Sequence, residues 1–172
     1  VLGGSADRRT ARIRAEQDVF GMCYGLLGKA SGWPGGILLR SDDSGNSYQG
    51  VGSSKTLPKV FVASNALAEH HGYSADFSSV LNVAPLIASH FIYSVTEDQW
   101  YSEFNLAAYG IDGRWELVAF RTAIDNTGTF AVRDFLRGLY GTEWASGLHE
   151  TGDFFIVLDT DSVGFFGLPT NA

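Results

Sequence analysis

Residues 115–136 constrain the fold most. Trp115–Ala123 is a run of aromatic, branched and small apolar residues interrupted only by Glu116, Arg121 and Thr122. Asp125-Asn126-Thr127-Gly128 then gathers four residue types that turn a backbone, and Thr129–Leu136 brings the β-prone pattern back. Two such runs around a turn predict an antiparallel hairpin. The rest of the chain supplies more of the same material: 21 glycines and 13% aromatic residues in 172, with four prolines. Glycine scattered among aromatic and β-branched runs predicts short strands joined by tight turns. The predicted class is mainly β, a compact antiparallel module with short helical turns.

Further strands are predicted at 19–27, Ile37–Arg40, Ser47–Val51, Lys59–Ala63, Phe77–Val83, Phe91–Val95 and Asp153–Leu158. The last holds a continuous apolar run, which predicts cover on both faces. Ala66–His71 favours a helical turn, and Gln99–Leu106 fits helix or strand, anchored by Trp100, Tyr101 and Phe104. Ser5-Ala6-Asp7 can cap a short helix through Gln17, because Ala6, Ala11 and Ala15 recur at helical spacing. Residues 1–18 are therefore assigned to an N-terminal helix, extension or linker, and 19–172 to one β-rich unit without internal repeats. The chain opens on Val1 rather than Met, which reads as a fragment or a processed product.

The net charge of −7 gives no sign of a nucleic-acid partner. Arg8, Arg9, Arg12 and Arg14 cluster, but Asp7, Glu16 and Asp18 sit among them, as in a solvated linker or an exposed helix face. The single cysteine, Cys23, excludes an intrachain disulfide and a multi-cysteine zinc site. Its apolar surroundings, Val19–Leu27, predict a buried, inert thiol. No apolar stretch approaches the about 20 residues of a membrane span, and the N-terminus lacks a signal-peptide pattern.

Ser41-Asp42-Asp43-Ser44-Gly45-Asn46-Ser47-Tyr48 fits S-x-D-x-G-x-x-aromatic, the Asp-box pattern of sialidases and other β proteins. Its physics is local. Asp43 accepts from turn amides, Gly45 supplies an unusual backbone angle, and Tyr48 packs under the turn. A structural hairpin is the expectation there.

Glu97, Asp98 and Glu103 invite comparison with a glycosidase pair, but their sequence spacing says nothing of the separation such a pair needs. Asp159-Thr160-Asp161-Ser162 alternates oxygen ligands without the rest of a calcium loop, and reads as a turn after a strand. His70, His71, His90 and His149 have no metal-site spacing. No motif calls for a cofactor, a metal or a catalytic nucleophile. Trp33, Trp100, Trp115 and Trp144 suit a β core or an interface, and also suit stacking on sugars.

The last third carries a family likeness. Trp115–Ala123 is followed by Gly128-Thr129-Phe130-Ala131-Val132. Then come Leu136-Arg137-Gly138-Leu139-Tyr140-Gly141-Thr142-Glu143-Trp144, His149, Gly152-Asp153 and Phe155-Ile156-Val157-Leu158-Asp159. This order resembles the C-terminal region of the large tail hub proteins of siphophages and gene transfer agents, with their L-L-R-G-x-R-G-T-E, histidine and G-x-x-F-v-x-L-D. Gly32-Trp33-Pro34-Gly35-Gly36-Ile37-Leu38-Leu39-Arg40-Ser41, with Asp43, Gly45 and Tyr48, is similar to that family's W-x-G-a-x-L-y-R-S-x-D-G-G-x-x-y. The likeness spans roughly Trp33 to Asp159. Tyr140 replaces the motif's second arginine, Phe135 precedes Leu136, and the block Phe61–Ala88 matches poorly.

Physically, Gly138 and Gly141 allow a sharp reversal after a strand, and Thr142-Glu143 can cap a helical turn. Arg137 is expected to pair with Glu143 across that turn. The resemblance implies a structural subunit of a virion tail tip, or baseplate hub, that helps close the tail channel and engage the host envelope. It implies other tail tip proteins and copies of the same chain as partners, as a trimer around the tail axis. Phe165-Phe166 and Ala66–Ala88 are the candidate intersubunit contacts. The alternatives are a module binding a host surface glycan and, further off, a cell-wall hydrolase.

Overall fold

The computed structural model describes residues 2–3, 21–26, 32–70, 74–159 and 161–167. The expected N-terminal helix, the boundary at residue 18 and His71 lie outside the described residues, as do the side chains of Cys23, Phe165 and Phe166. The strands are β1 (Leu2–Gly3), β2 (Gly21–Gly25), β3 (Gly36–Arg40), β4 (Gln49–Ser54), β5 (Lys59–Ala63) and β6 (Asp76–Pro85). Helix α1 (Glu97–Tyr101) precedes β7 (Leu106–Gly110), β8 (Glu116–Asp125) and β9 (Phe130–Leu136). Two 3₁₀ turns, Leu139–Gly141 and Glu143–Ala145, lead to β10 (Phe154–Val157) and β11 (Val163–Gly167). The fold is mainly β, as the composition predicts.

The chain divides into two compact units. The first joins Val1–Pro58 to Asp159–Ala172. It holds a three-stranded sheet in the order β1-β2-β11 and the separate pair β3-β4. Tyr24 of β2 is buried here. A Cβ on Gly52 or Gly164 would fall 1.9 Å and 2.3 Å from its phenol ring, so both positions need glycine to admit it. Asp159 begins a turn, its carbonyl accepting from Ser162 N and Val163 N, as expected of that acidic segment.

The second unit, Lys59–Leu158, is a closed antiparallel barrel in the order β10-β5-β6-β9-β8-β7. Alternation fills its interior. Phe61 and Ala63, Leu81 and Val83, Ala107 and Tyr109, Val118 and Phe120, Val132 and Phe135, and Phe155 and Val157 form one buried cluster. Each large apolar side chain contributes about 1.5–3 kcal/mol by burial. The predicted hairpin is present: β8 and β9 pair from Ala119↔Leu136 to Asp125↔Phe130. Its turn closes by Asn126 N donating to Thr129 O at 2.7 Å, with Thr127 and Gly128 at positive φ.

Regular alternation fails at two places, each with a local cause. In β9 the buried set steps from Phe130 and Val132 to Phe135, and in β8 from Ala123 to Phe120 at the same level. Asp134, at φ 59°, sits at the step, and its carboxylate accepts from Thr122 Oγ1 at 2.5 Å. In β6 the register against β9 shifts between Asp76 and Val80. The Asp76 carboxylate makes that bulge by accepting from Ser78 N and Ser79 N. Asp76 is thereby buried while Phe77 faces outward against the edge of the Trp100 ring.

Three local expectations differ from the structure. Residues 66–70 form no helical turn, because their polar groups bond to distant partners: His70 N donates to Ser146 Oγ, and Ala68 O accepts from Arg137. Phe91–Val95 is not a strand. Side chains tie it to its neighbours, with Ser94 Oγ bridging Ala123 and Asn105 Nδ2 donating to Tyr93 O. The outer face of β10, at Phe154 and Ile156, is half-covered rather than buried.

Gln99–Leu106 resolves into the end of α1, a turn over 102–105 and the first residue of β7. Thr96 and Gln99 form a reciprocal capping box, with Glu97 and Asp98 in the first turn where the helix dipole favours them. Trp100 is fully buried on the outside of β8, its Nε1 donating to Ala119 O.

Candidate functional site

At one end of the barrel a charge stands where alternation demands an apolar residue. Glu116, Val118 and Phe120 share one phase of β8, so Glu116 is carried inward and is fully buried. Such a carboxylate needs a cation. Arg137, just beyond β9, supplies it with two parallel bonds: Nε to Glu116 Oε1 and Nη2 to Oε2, both 2.8 Å. The same guanidinium reaches Asp76 Oδ2 at 3.3 Å and Ser146 Oγ at 3.1 Å. Gly138 N also donates to Glu116 Oε1.

Burial pushes the Glu116 pKa up, but the bonds from His149 and Arg137 and their charges outweigh it, and the net direction is down. Burial also acts against Asp76, yet the hydrogen bonds from Ser79 and Ser78 hold it at about 2.

His149 continues the network. Its Nε2 lies 2.7 Å from Glu116 Oε2, and its ring stacks on Tyr109 with centroids 3.9 Å apart. Nδ1 is buried without a hydrogen bond, 3.5 Å from Asp153 Oδ2. Burial pushes the Tyr109 phenol up to about 12. Asp153 binds Arg114 through two bonds of 3.0 and 2.8 Å, and Arg114 also reaches Glu150 and the Leu148 carbonyl. β6, β8, the segment after β9 and the segment before β10 are thus linked by charge at one end of the barrel.

The turn from Gly138 to Ala145 lies against this network. Gly138 (φ 62°) has no room for a side chain, since a Cβ would come 2.7 Å from Glu143 Cβ. Tyr140 is also left-handed, and its hydroxyl donates to the Glu103 carboxylate. Thr142 does not cap the second 3₁₀ turn with its side chain as expected. Its hydroxyl donates to Leu139 O and accepts from Leu117 N of β8. The expected Arg137–Glu143 pair is also replaced: Arg137 turns inward to Glu116 and Asp76, and Glu143 stays exposed. Between this turn and Glu69, His70 and Ser74 runs a groove of about 710 Å³, lined also by Leu136, Tyr140 and Trp144.

In the other unit, the Asp-box residues meet as expected. Asp43 Oδ1 accepts from Ser47 N and Ser41 Oγ at 2.8 Å, and Gly45 N donates to Ser41 Oγ. The bonds from Ser47, then Ser41, lower the Asp43 pKa to about 2. Gly45 has φ 93°. Tyr48 departs from expectation: its hydroxyl would touch a Cβ at Gly45, but the side chain is 62% exposed rather than packed beneath the turn.

Of the predicted motif residues, Arg137, Gly138, Thr142 and Glu143 gather at the barrel end with Gly141 in the same turn, and Ser41, Asp43, Gly45 and Tyr48 in the β3–β4 turn. Glu97, Asp98 and Glu103 disperse between the first turn of α1 and the contact with Tyr140. His90 is buried against the backbone of Val60. Glu116, Asp76, Ser146 and Arg114 were not singled out. The available signal was Glu116, a charge in phase with the apolar face of a strand. Among the described residues no group of three or more His, Cys, Asp or Glu is placed to hold a metal ion.

A family model described as Rcc01698-like, C-terminal matches residues 61–156. The match takes in Phe61–Ala88, where the likeness read from sequence was poor, and stops short of Trp33–Val60. It coincides closely with the barrel unit, and with it the buried charge network. No curated protein matches the chain.

Proposed function

Because the chain belongs to the Rcc01698-like, C-terminal family, we propose that it is a non-catalytic structural module of a virion tail tip, the baseplate hub of a phage or phage-like particle. One observation carries this reading. The residues behind the likeness to tail hub proteins bind one another: Arg137 holds Glu116, Glu116 holds His149, and Asp153 lies beside His149 and anchors Arg114. The side chains of Glu116, His149 and Arg137 are at most 1% exposed, so these three residues work as an internal brace. A region defined by its braces suits a scaffold whose shape must persist.

In this role the module helps close the tail channel and meets the host envelope. Its partners are other tail tip proteins and copies of itself, arranged as a closed threefold ring around the tail axis. Mapping subunit contacts in the assembled particle tests the placement, with the chain expected at the tip in three copies. Incubation of the isolated chain with peptidoglycan tests the absence of catalysis. A monodisperse monomer that turns over cell-wall polymer, or a particle without this chain at its tip, overturns the proposal.

A further inference from the structure

The groove beside the buried network has the chemistry of a binding site. We propose that it takes a neutral pyranose of a surface polysaccharide, stacked on Trp144. The inference extends the envelope-engaging role to a particular ligand class, but it concerns the chain alone and is tested without the particle.

Trp144 is 59% exposed while the next residues, Ala145 and Ser146, are fully buried. The indole therefore stands in water on a backbone that cannot follow it inward. Ser146 is held by Arg137 and by His70 N, so the base of the platform is tied to the charge network. A solvated indole on an anchored backbone is a flat apolar surface matched to the C–H face of a sugar ring. Tyr140 forms another part of the wall. Its hydroxyl is engaged by Glu103, which fixes where the ring stands.

Charge narrows the ligand. Glu143 is an exposed carboxylate on the turn that walls the groove. Carboxylates accept hydrogen bonds from adjacent hydroxyl groups and repel phosphates, sulfates and acidic sugars. Arg137 at the floor is already paired with Glu116 and Asp76, so it offers an incoming anion no free charge. A wholly apolar ligand would desolvate the Glu143 carboxylate without replacing its hydrogen bonds. A neutral ring with an apolar face and a hydroxyl rim satisfies all three constraints, and the volume of about 710 Å³ lies in the range of small-ligand sites.

The test is a titration of the whole chain, followed by tryptophan fluorescence and amide shifts. The probes are cellotetraose, maltotetraose and chitotetraose as neutral oligomers, tetragalacturonate as the anionic one, and chitosan tetramer as the cationic one. At least one neutral oligomer is expected to saturate, with shifts centred on residues 69–70 and 138–144. Trp144→Ala is expected to weaken that binding by about tenfold or more, Trp144→Phe to retain part of it, and Glu143→Gln to weaken it without changing the fold. Both Trp144 and Glu143 are exposed, so circular dichroism should stay unchanged in each variant. Failure of all three neutral oligomers, preference for either charged one, or binding indifferent to Trp144→Ala overturns the inference. Any of these outcomes leaves the tail tip role standing, and a chain that binds sugar yet is missing from the tip separates the two the other way.

Discussion

Arg137 is the residue on which the buried charges depend. Without it, Glu116 and Asp76 would remain inside the protein with their principal cation gone. Removing one member of a buried pair leaves the full desolvation cost of the other. Arg137→Ala is therefore expected to lower the unfolding free energy by about 3–5 kcal/mol. Arg137→Lys should recover only part, because an ammonium cannot make the two parallel bonds to Glu116. Urea midpoints measure both.

The acid limb of stability belongs to the same residues. Asp76 is depressed from 3.8 to about 2, so its contribution is present above the ordinary value and is lost as pH falls towards about 2. Glu116, also depressed, acts in the same direction. Asp76→Asn should flatten the fall of the unfolding midpoint across that window, and an unchanged slope would contradict the assignment. Arg137 was legible in the sequence as important, but its partner was not. The partner lies 21 residues back on another strand, and only the inward phase of Glu116 points to it.

At the scale of elements, the β8–β9 hairpin was readable because turn chemistry and β propensity agree there. The steps in alternation were hidden, since each depends on one aspartate bonding to a nearby hydroxyl or amide. Asp134 holds a left-handed backbone inside a strand while accepting from Thr122. Asp134→Val should cost about 1–3 kcal/mol through that backbone conformation. Asp134→Asn, which tolerates positive φ, should cost much less. Thermal unfolding of the two variants separates backbone strain from the lost carboxylate. Phe91–Val95 misled for the converse reason: its residues favour a strand, but Ser94 and Asn105 side chains make bonds that a ladder would otherwise make.

For the whole molecule, the mainly β class followed from composition, whereas the closure of six strands did not. Closure depends on β10 pairing with both β5 and β7, contacts between residues 44 to 98 positions apart that no local pattern encodes. The barrel has its own core and a complete set of strand partners. A fragment of residues 59–158 is expected to fold alone with one cooperative transition, checked by circular dichroism against urea. Deleting residues 159–172 should instead disrupt the first unit, whose β11 comes from that segment and carries the Gly164 that accommodates Tyr24.

Closure has a further consequence wherever copies of this unit are crowded together. A ring of strands has no first or last member, so its amides and carbonyls give an incoming strand nowhere to add. Crowding therefore cannot turn this unit into a seed for cross-β fibres. Each copy keeps its own backbone hydrogen bonds however densely the copies are packed. The hazard of runaway polymerisation falls instead on β1, β11 and the two-stranded β3–β4 pair, whose open margins are the only places among the described strands where one chain could capture another.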